Sequence, residues 1–242
     1  MLRDAQCVVV VPARNEDERI GRVIDTMPSF VDHIIVVDDA STDATAARVL
    51  DRESTRRITL VKHARATGVG GAIVDGYREA LKHAGDPRDA FCVMAGDGQM
   101  SPDDLEAVAT PIVCGDADYV KGNRFTAHDV ARVMPRARYF AGRVFSVATA
   151  LAVGHPINDS QCGFTAISRS ACEALDLGSI WRGYGYPNDV ISRVLLRNLR
   201  ITEVPVRPIY AGENSGLRAY HAAVIAALIL RAYGRRKNPL RR

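Results

Sequence analysis

Three stretches of the chain place oxygen-bearing side chains directly after runs of β-branched residues. In Val93-Met94-Ala95-Gly96-Asp97-Gly98-Gln99-Met100 a carboxylate and an amide stand two residues apart in a glycine-flanked loop. Both are hard oxygen ligands suited to Mg²⁺ or Mn²⁺ holding a diphosphate, and the same residues would also make a plain β-turn. In Ile34-Ile35-Val36-Val37-Asp38-Asp39-Ala40-Ser41-Thr42-Asp43 two adjacent carboxylates end the run, placed to accept hydrogen bonds from a ribose or a base N–H. Asp43, after Ser41 and Thr42, reads as part of the cap of the next helix. Val8-Val9-Val10-Val11-Pro12-Ala13-Arg14-Asn15-Glu16 stops at a proline and opens a helix through Asn15, as any strand followed by a capped helix would.

These loops need a scaffold that gathers strand ends. Apolar runs alternate with segments of helical periodicity, the pattern of parallel strands joined by crossover helices. Strands are expected at Cys7–Val11, His33–Val37, Ile58–Val61, Phe91–Met94, Tyr119–Val120 with its flanks, Gly163–Ile167 and Ile201–Val206. Helices are expected near Glu16–Thr26, Asp43–Asp51, Val69–His83, Asp103–Val113, Arg136–Val153 and Asn188–Arg197. The fold class is α/β, a single domain over residues 1–211 with an extension over 212–242. Ligands in open α/β sheets bind at the carboxyl ends of the strands, where the three loops lie.

Taken together, the order and spacing of these motifs resemble the family 2 glycosyltransferases of the GT-A fold, and among them the polyprenyl-phosphate glycosyl synthases. The resemblance runs from about Gln6 to about Ser215. It implies a Rossmann-like nucleotide-sugar domain with a mainly parallel mixed sheet flanked by helices. Pro12, Asn15, Glu16, Asp38 and Asp39 would line the nucleotide pocket, and Asp97 with Gln99 would hold a divalent metal, Mg²⁺ or Mn²⁺. The family's acidic loop commonly reads Asp-x-Asp-x-Gln, whereas the first position here is Ala95. One carboxylate fewer leaves the metal to Asp97, Gln99, the diphosphate and water, and turns the donor toward a UDP-linked N-acetylhexosamine rather than GDP-mannose or UDP-glucose.

Lys121-Gly122-Asn123-Arg124-Phe125 resembles the family's basic loop near the transferred phosphate. The planar fork of Arg124 suits a pair of phosphate oxygens or, more plainly, a surface ion pair; Lys121 has no assigned role. Arg136 and Arg138 follow Pro135 at a helix start and would face the acceptor phosphate or water. Asp159 and Gln161, in Asn158-Asp159-Ser160-Gln161-Cys162-Gly163, would reach sugar hydroxyls. Asp189 follows Asn188 where the family carries its Glu-Asp-type motif, as a general base, an orienting group or a helix cap. The implied reaction is inverting transfer of a sugar to polyprenyl phosphate, the alternatives being a soluble saccharide acceptor or a non-catalytic nucleotide-sugar-binding scaffold.

Other features exclude classes of function. Five cysteines are odd in number and widely spaced, which fits neither a disulfide framework nor zinc. The six histidines share no ligand spacing, and Gly68-Val69-Gly70-Gly71 follows the third strand and lacks the full dinucleotide fingerprint. The 242 residues carry 32 basic and 28 acidic groups, net +4, but six of the basic ones are Arg231, Arg235, Arg236, Lys237, Arg241 and Arg242. The rest is slightly acidic, unlike a nucleic-acid-binding face. The tail follows the apolar run Ala222 to Leu230, too short to span a bilayer, which reads as a helix packed on the body or, as the flanking cations favour, at an anionic membrane interface or docked on an integral membrane partner. With no signal region, the expected location is cytoplasmic, peripheral to the inner face of the cell membrane.

Overall fold

The computed structural model describes residues 1–127, 130–209 and 219–238. The start of the extension, residues 212–218, and Arg241 and Arg242 in the basic tail lie outside the described residues. Among the described residues seven strands, β1 (Cys7–Ala13), β2 (His33–Asp38), β3 (Ile58–Lys62), β4 (Ala90–Val93), β5 (Tyr119–Asn123), β6 (Thr165–Ser168) and β7 (Ile201–Pro205), form one sheet ordered β3-β2-β1-β4-β6-β5-β7. Only β6 runs against its neighbours β4 and β5, which makes the expected mainly parallel mixed sheet. The run Cys7 to Val11 is buried on both faces, as a continuous apolar strand requires. Val9, Val11 and Val36 pack into one core with helices α1 (Ile20–Asp25) and α4 (Leu105–Val113). Val8, Val10, Ile35 and Val37 pack on the opposite face with α3 (Val69–His83) and α8 (Tyr186–Leu196).

The remaining helices are α2 (Thr45–Leu50), α5 (Val130–Val133), α6 (Arg136–Val153), α7 (Arg169–Ala174) and α9 (Ala219–Lys237). The expected helix from Glu16 is shorter, beginning at Ile20, because the preceding backbone is engaged across the loops: Glu16 N–H donates to Thr45 Oγ1 (2.8 Å) and Asp17 N–H to Asp43 Oδ2 (3.2 Å). Asp43 also accepts from Thr45 N–H at 3.0 Å, so the expected cap residue ties two loops as well. Within the extension, Ile225, Leu228, Ile229 and Ala232 are buried, and α9 packs on α6 and α8. The all-round apolar run is thus covered on one side by the body. Among the described residues no helix is long and apolar enough to cross a membrane. Cys7, Cys92, Cys162 and Cys172 are buried free thiols.

Candidate active site

From β1 the chain passes to β2 and β3 on one side and then to β4 on the other, so the carboxyl ends of β1 and β4 diverge into a crevice. A cavity of about 740 Å³ opens there. Pro12, Glu16, Ala95, Asp97 and Gln99 line its strand-end wall. Gln99 N–H donates to Asp97 Oδ1 at 3.0 Å, which folds the loop so that both side chains stand at the same rim. Burial and the neighbouring Asp97 carboxylate push the Glu16 carboxyl above its ordinary value, as expected where two like charges converge.

The other nucleotide-pocket candidates act behind this wall. Asn15, in the left-handed region at φ 57°, accepts from Thr42 N–H at 2.9 Å while its own N–H donates to Ser41 Oγ. The acidic pair is buried: Asp38 Oδ1 accepts from Ser41 N–H, and Asp39 accepts from Thr67 N–H, Thr67 Oγ1 and Gly68 N–H, with His63 Nδ1 2.8 Å away. Burial would raise the Asp39 carboxyl, but these donors hold it below the usual range. The structure therefore uses the pair to fix the β2–α2 and β3–α3 loops. Ala40, between them and Ser41, sits at φ 59°, a strained conformation for a residue with a Cβ.

Arg124 and Asp159, expected on phosphate and sugar, are partners of each other. Asp159 is fully buried and accepts from Arg124 Nε (2.8 Å), Nη2 (2.9 Å) and N–H (3.0 Å). Arg124 lines the cavity while Asp159 stands behind it. Lys121 is also fully buried, donating to the carbonyls of Ser160 (3.3 Å) and Cys162 (2.6 Å), and burial lowers its pKa. Its role is to hold the 160–162 backbone. Gln161 lines the cavity and donates to Ser160 Oγ and Asn188 Oδ1.

Asp189 lies in the first turn of α8, buried and outside the lining of the cavity. It accepts from Trp181 N–H (2.9 Å), Arg193 Nε (2.9 Å) and Arg235 Nη1 (2.6 Å). Burial alone would raise this carboxyl; the two guanidiniums and the amide hold it below the ordinary value. Arg235, expected in a tail that meets a membrane interface or a membrane partner, instead reaches inward to Asp189, and Arg236 donates to the Leu151 carbonyl.

At the first turn of α6, Arg138 lines the cavity and Arg136 is exposed outside it. Two lining cations were not anticipated, Arg19 and Arg207. Arg207 pairs with Asp104 at 3.0 Å, and the adjacent Ile209 N–H donates to the Gln99 carbonyl, so the chain after β7 closes over the Asp97 loop. The only sequence signal was an arginine directly after a strand end. Opposite the polar wall, Ala141 and Phe145 of α6, Pro187 of α8 and Ile225 of α9 make an apolar one, bordered by Tyr184, which stacks on His221 at 4.2 Å.

A family model described as Glycosyl transferase family 2 matches residues 8–176. The chain belongs to that family. This glycosyltransferase is 30% identical over 223 residues to the UDP-N-acetylglucosamine--dolichyl-phosphate N-acetylglucosaminyltransferase of Methanococcus voltae, covering 86% of the chain and 88% of the relative. It is 27% identical over 206 residues to the polyprenol monophosphomannose synthase of Mycolicibacterium smegmatis, covering 82% and 76%. Its fold is similar to glucosyl-3-phosphoglycerate synthase from Mycobacterium tuberculosis, crystallised with Mn²⁺, UDP and glucosyl-3-phosphoglycerate, with a TM-score of 0.70 at 21% identity over 96% and 81% of the two chains. The GT-A arrangement expected from the motifs is the one observed.

Proposed function

We propose that this glycosyltransferase moves a sugar, with inversion, from a nucleotide donor to a polyprenyl phosphate at a membrane surface. The observation that carries the reading is the two-sided cavity: carboxylate and amide oxygens at the strand ends, apolar side chains of α6, α8 and α9 opposite, and arginines 19, 124, 138 and 207 around it. A nucleoside diphosphate needs the first wall, an isoprenoid the second, and both bring phosphate to the arginines. The names of the Methanococcus and Mycolicibacterium relatives support a polyprenyl-phosphate acceptor.

The nucleoside is assigned to Pro12 and Glu16, in a pocket shaped by Asn15, Asp38 and Asp39. The sugar lies toward Gln161, and the acceptor phosphate toward Arg138. A phosphate oxygen attacks the anomeric carbon opposite the diphosphate, forming the carbon–oxygen bond as the bond to the diphosphate breaks. A phosphate diester or monoester is already ionised near neutral pH, so no base need remove a proton. That agrees with an Asp189 held by two arginines, whose role is to position the 181–189 segment. Arg124, aligned by Asp159, faces the charge that develops on the leaving diphosphate.

The donor set fits a divalent cation. Asp97 and Gln99 offer hard oxygens on the cavity wall, yet among the described residues no group of three or more His, Cys, Asp or Glu could hold an ion alone. Diphosphate oxygens and water must complete the shell. Asp97 and Gln99 would hold Mg²⁺ or Mn²⁺, which when bound supplies positive charge at the leaving group.

The donor is proposed to be a UDP-N-acetylhexosamine, in line with the departure at Ala95 and the Methanococcus relative's name. Radiolabelled UDP-N-acetylglucosamine, UDP-glucose and GDP-mannose, each incubated with polyprenyl phosphate and Mn²⁺ or Mg²⁺, test the reading. Label from the first should pass into organic solvent. Label appearing only on soluble saccharides, or on nothing, would overturn it.

A further inference from the structure

The outer side of the C-terminal helix layer is apolar where water should be. On α6, Phe140, Val144, Val147 and Leu151 recur at steps of four, three and four, one helical stripe, and are between 59 and 72% exposed. On α9, Leu230 is 71% and Tyr233 48% exposed.

The two stripes share one side of the molecule. α6 and α9 run in the same sense, since Phe145 and Ala148 pack with Ile225 and Ile229 while Arg236 reaches the Leu151 carbonyl near the end of α6. On α6 the exposed Val144, Val147 and Leu151 each precede by one residue a residue facing α9; on α9 the exposed Leu230 follows by one Ile229, which faces α6, and Tyr233 follows the buried Ala232. One residue is 100° of rotation, so in parallel neighbours these opposite offsets turn both stripes the same way. Gly142, Ser146, Thr149 and Leu228 are buried on the opposite side, against the body.

Charge selects the occupant. α5, α6 and α9 contain no aspartate or glutamate, although the chain has 28. Arg136 continues the α6 stripe at its start and Lys237 the α9 stripe at its end, with Arg143 and Arg231 exposed beside them. A second copy seated on this face would set cations against cations with no acid to meet them. Apolar side chains edged by arginine and lysine match a bilayer interface carrying anionic headgroups.

We infer that the outer face of the α6–α9 layer docks on an anionic lipid bilayer, with the helices lying in its plane. The inference deepens the proposed function and rests on it for the presence of a membrane acceptor. It moves the contact from the basic tail to a two-helix face whose inner side, through Arg138, Ala141, Phe145 and Ile225, walls the cavity.

Flotation with vesicles tests it without sugar nucleotide or polyprenyl phosphate, so its outcome is independent of the transfer assay. The full chain should float with phosphatidylcholine vesicles containing phosphatidylglycerol, and less with phosphatidylcholine alone. The variant F140S/V144S/V147S/L151S should lose binding by roughly tenfold or more, and L230S/Y233S should lose part of it. Both should keep the wild-type circular dichroism, melting temperature and transfer to a short, water-soluble polyprenyl phosphate. Wild-type protein that fails to float, or a four-serine variant that floats like it, would overturn the inference. So would a wild-type dimer on gel filtration that the four-serine variant dissociates, because the face would then belong to a second copy.

Discussion

Asp97 is the single carboxylate in its loop, and the position two residues earlier is an alanine. No neighbouring acid in the loop can take over its charge. Asp97→Asn keeps size and the Gln99 N–H contact but removes the charge that the proposed mechanism sets beside the diphosphate, so turnover should fall by about three orders of magnitude with an unchanged melting temperature. Retention of most activity in the transfer assay would remove Asp97 from the mechanism. Arg124 and Asp159 carry a stability prediction instead. Arg124→Met leaves Asp159 buried with its main partner gone and should cost about 3–5 kcal/mol; adding Asp159→Asn should recover much of that in denaturant melts, and an additive double variant would count against the pair. The placement of Asp97, Gln99 and Arg124 on the cavity wall is legible because strand ends expose side chains at a known place. The engagement of Asp39 and Asp159 was not, because sequence shows an acceptor without showing which donors the fold will bring to it.

At the level of elements, glycine shows what periodicity leaves out. In sequence, Gly68-Val69-Gly70-Gly71 lacks the dinucleotide fingerprint, and the family resemblance implies that it starts a helix closing over the nucleotide. In the fold it is where the backbone of Trp181 and Arg182 lies on the start of α3, with Gly71 N–H donating to the Arg182 carbonyl at 2.9 Å. The start of α3 and the loop that leads to Asp189 thus touch through absent side chains. Further along α3, a Cβ at Gly76 would collide with Val10 Cγ1 on β1. Gly76→Ala should destabilise by about 1–3 kcal/mol despite its better helix propensity, and Val10→Ala in the same chain should suppress part of that loss; a stabilised Gly76→Ala would show that α3 and β1 are not so closely packed. Strands and long helices were readable from β-branched runs and 3.6-residue spacing. Short α5 and α7 are not legible there: the four residues of α5 are too few for a period, and α7 is set by Ser168 accepting from Ala171 N–H at its start.

For the whole molecule, the net charge of +4 divides differently in space than along the chain. In sequence, a slightly acidic body carries a basic tail. In the fold, Arg235 completes the shell of Asp189 and Arg236 caps the end of α6, so part of the tail's charge belongs to the body. Ending the chain at residue 218 would therefore do more than release an anchor. It would uncover Phe145, Ala148 and Ala152 and lose the burial of Ile225, Leu228 and Ile229, each worth about 1.5–3 kcal/mol, a large share of the 5–15 kcal/mol that holds a domain together. The truncated protein should aggregate or melt far below the full chain. Arg235→Gln separates the two roles: Asp189 keeps Arg193 and the Trp181 N–H, so the cost should be about 1–2 kcal/mol, a fall of roughly 2–8 °C in melting temperature. Because Arg235 points at α8 and away from the outer face, the same variant should float with anionic vesicles as well as wild type does. If Arg235→Gln instead loses vesicle binding while its melting temperature stays fixed, the arginine serves the lipid surface and its bond to Asp189 is incidental.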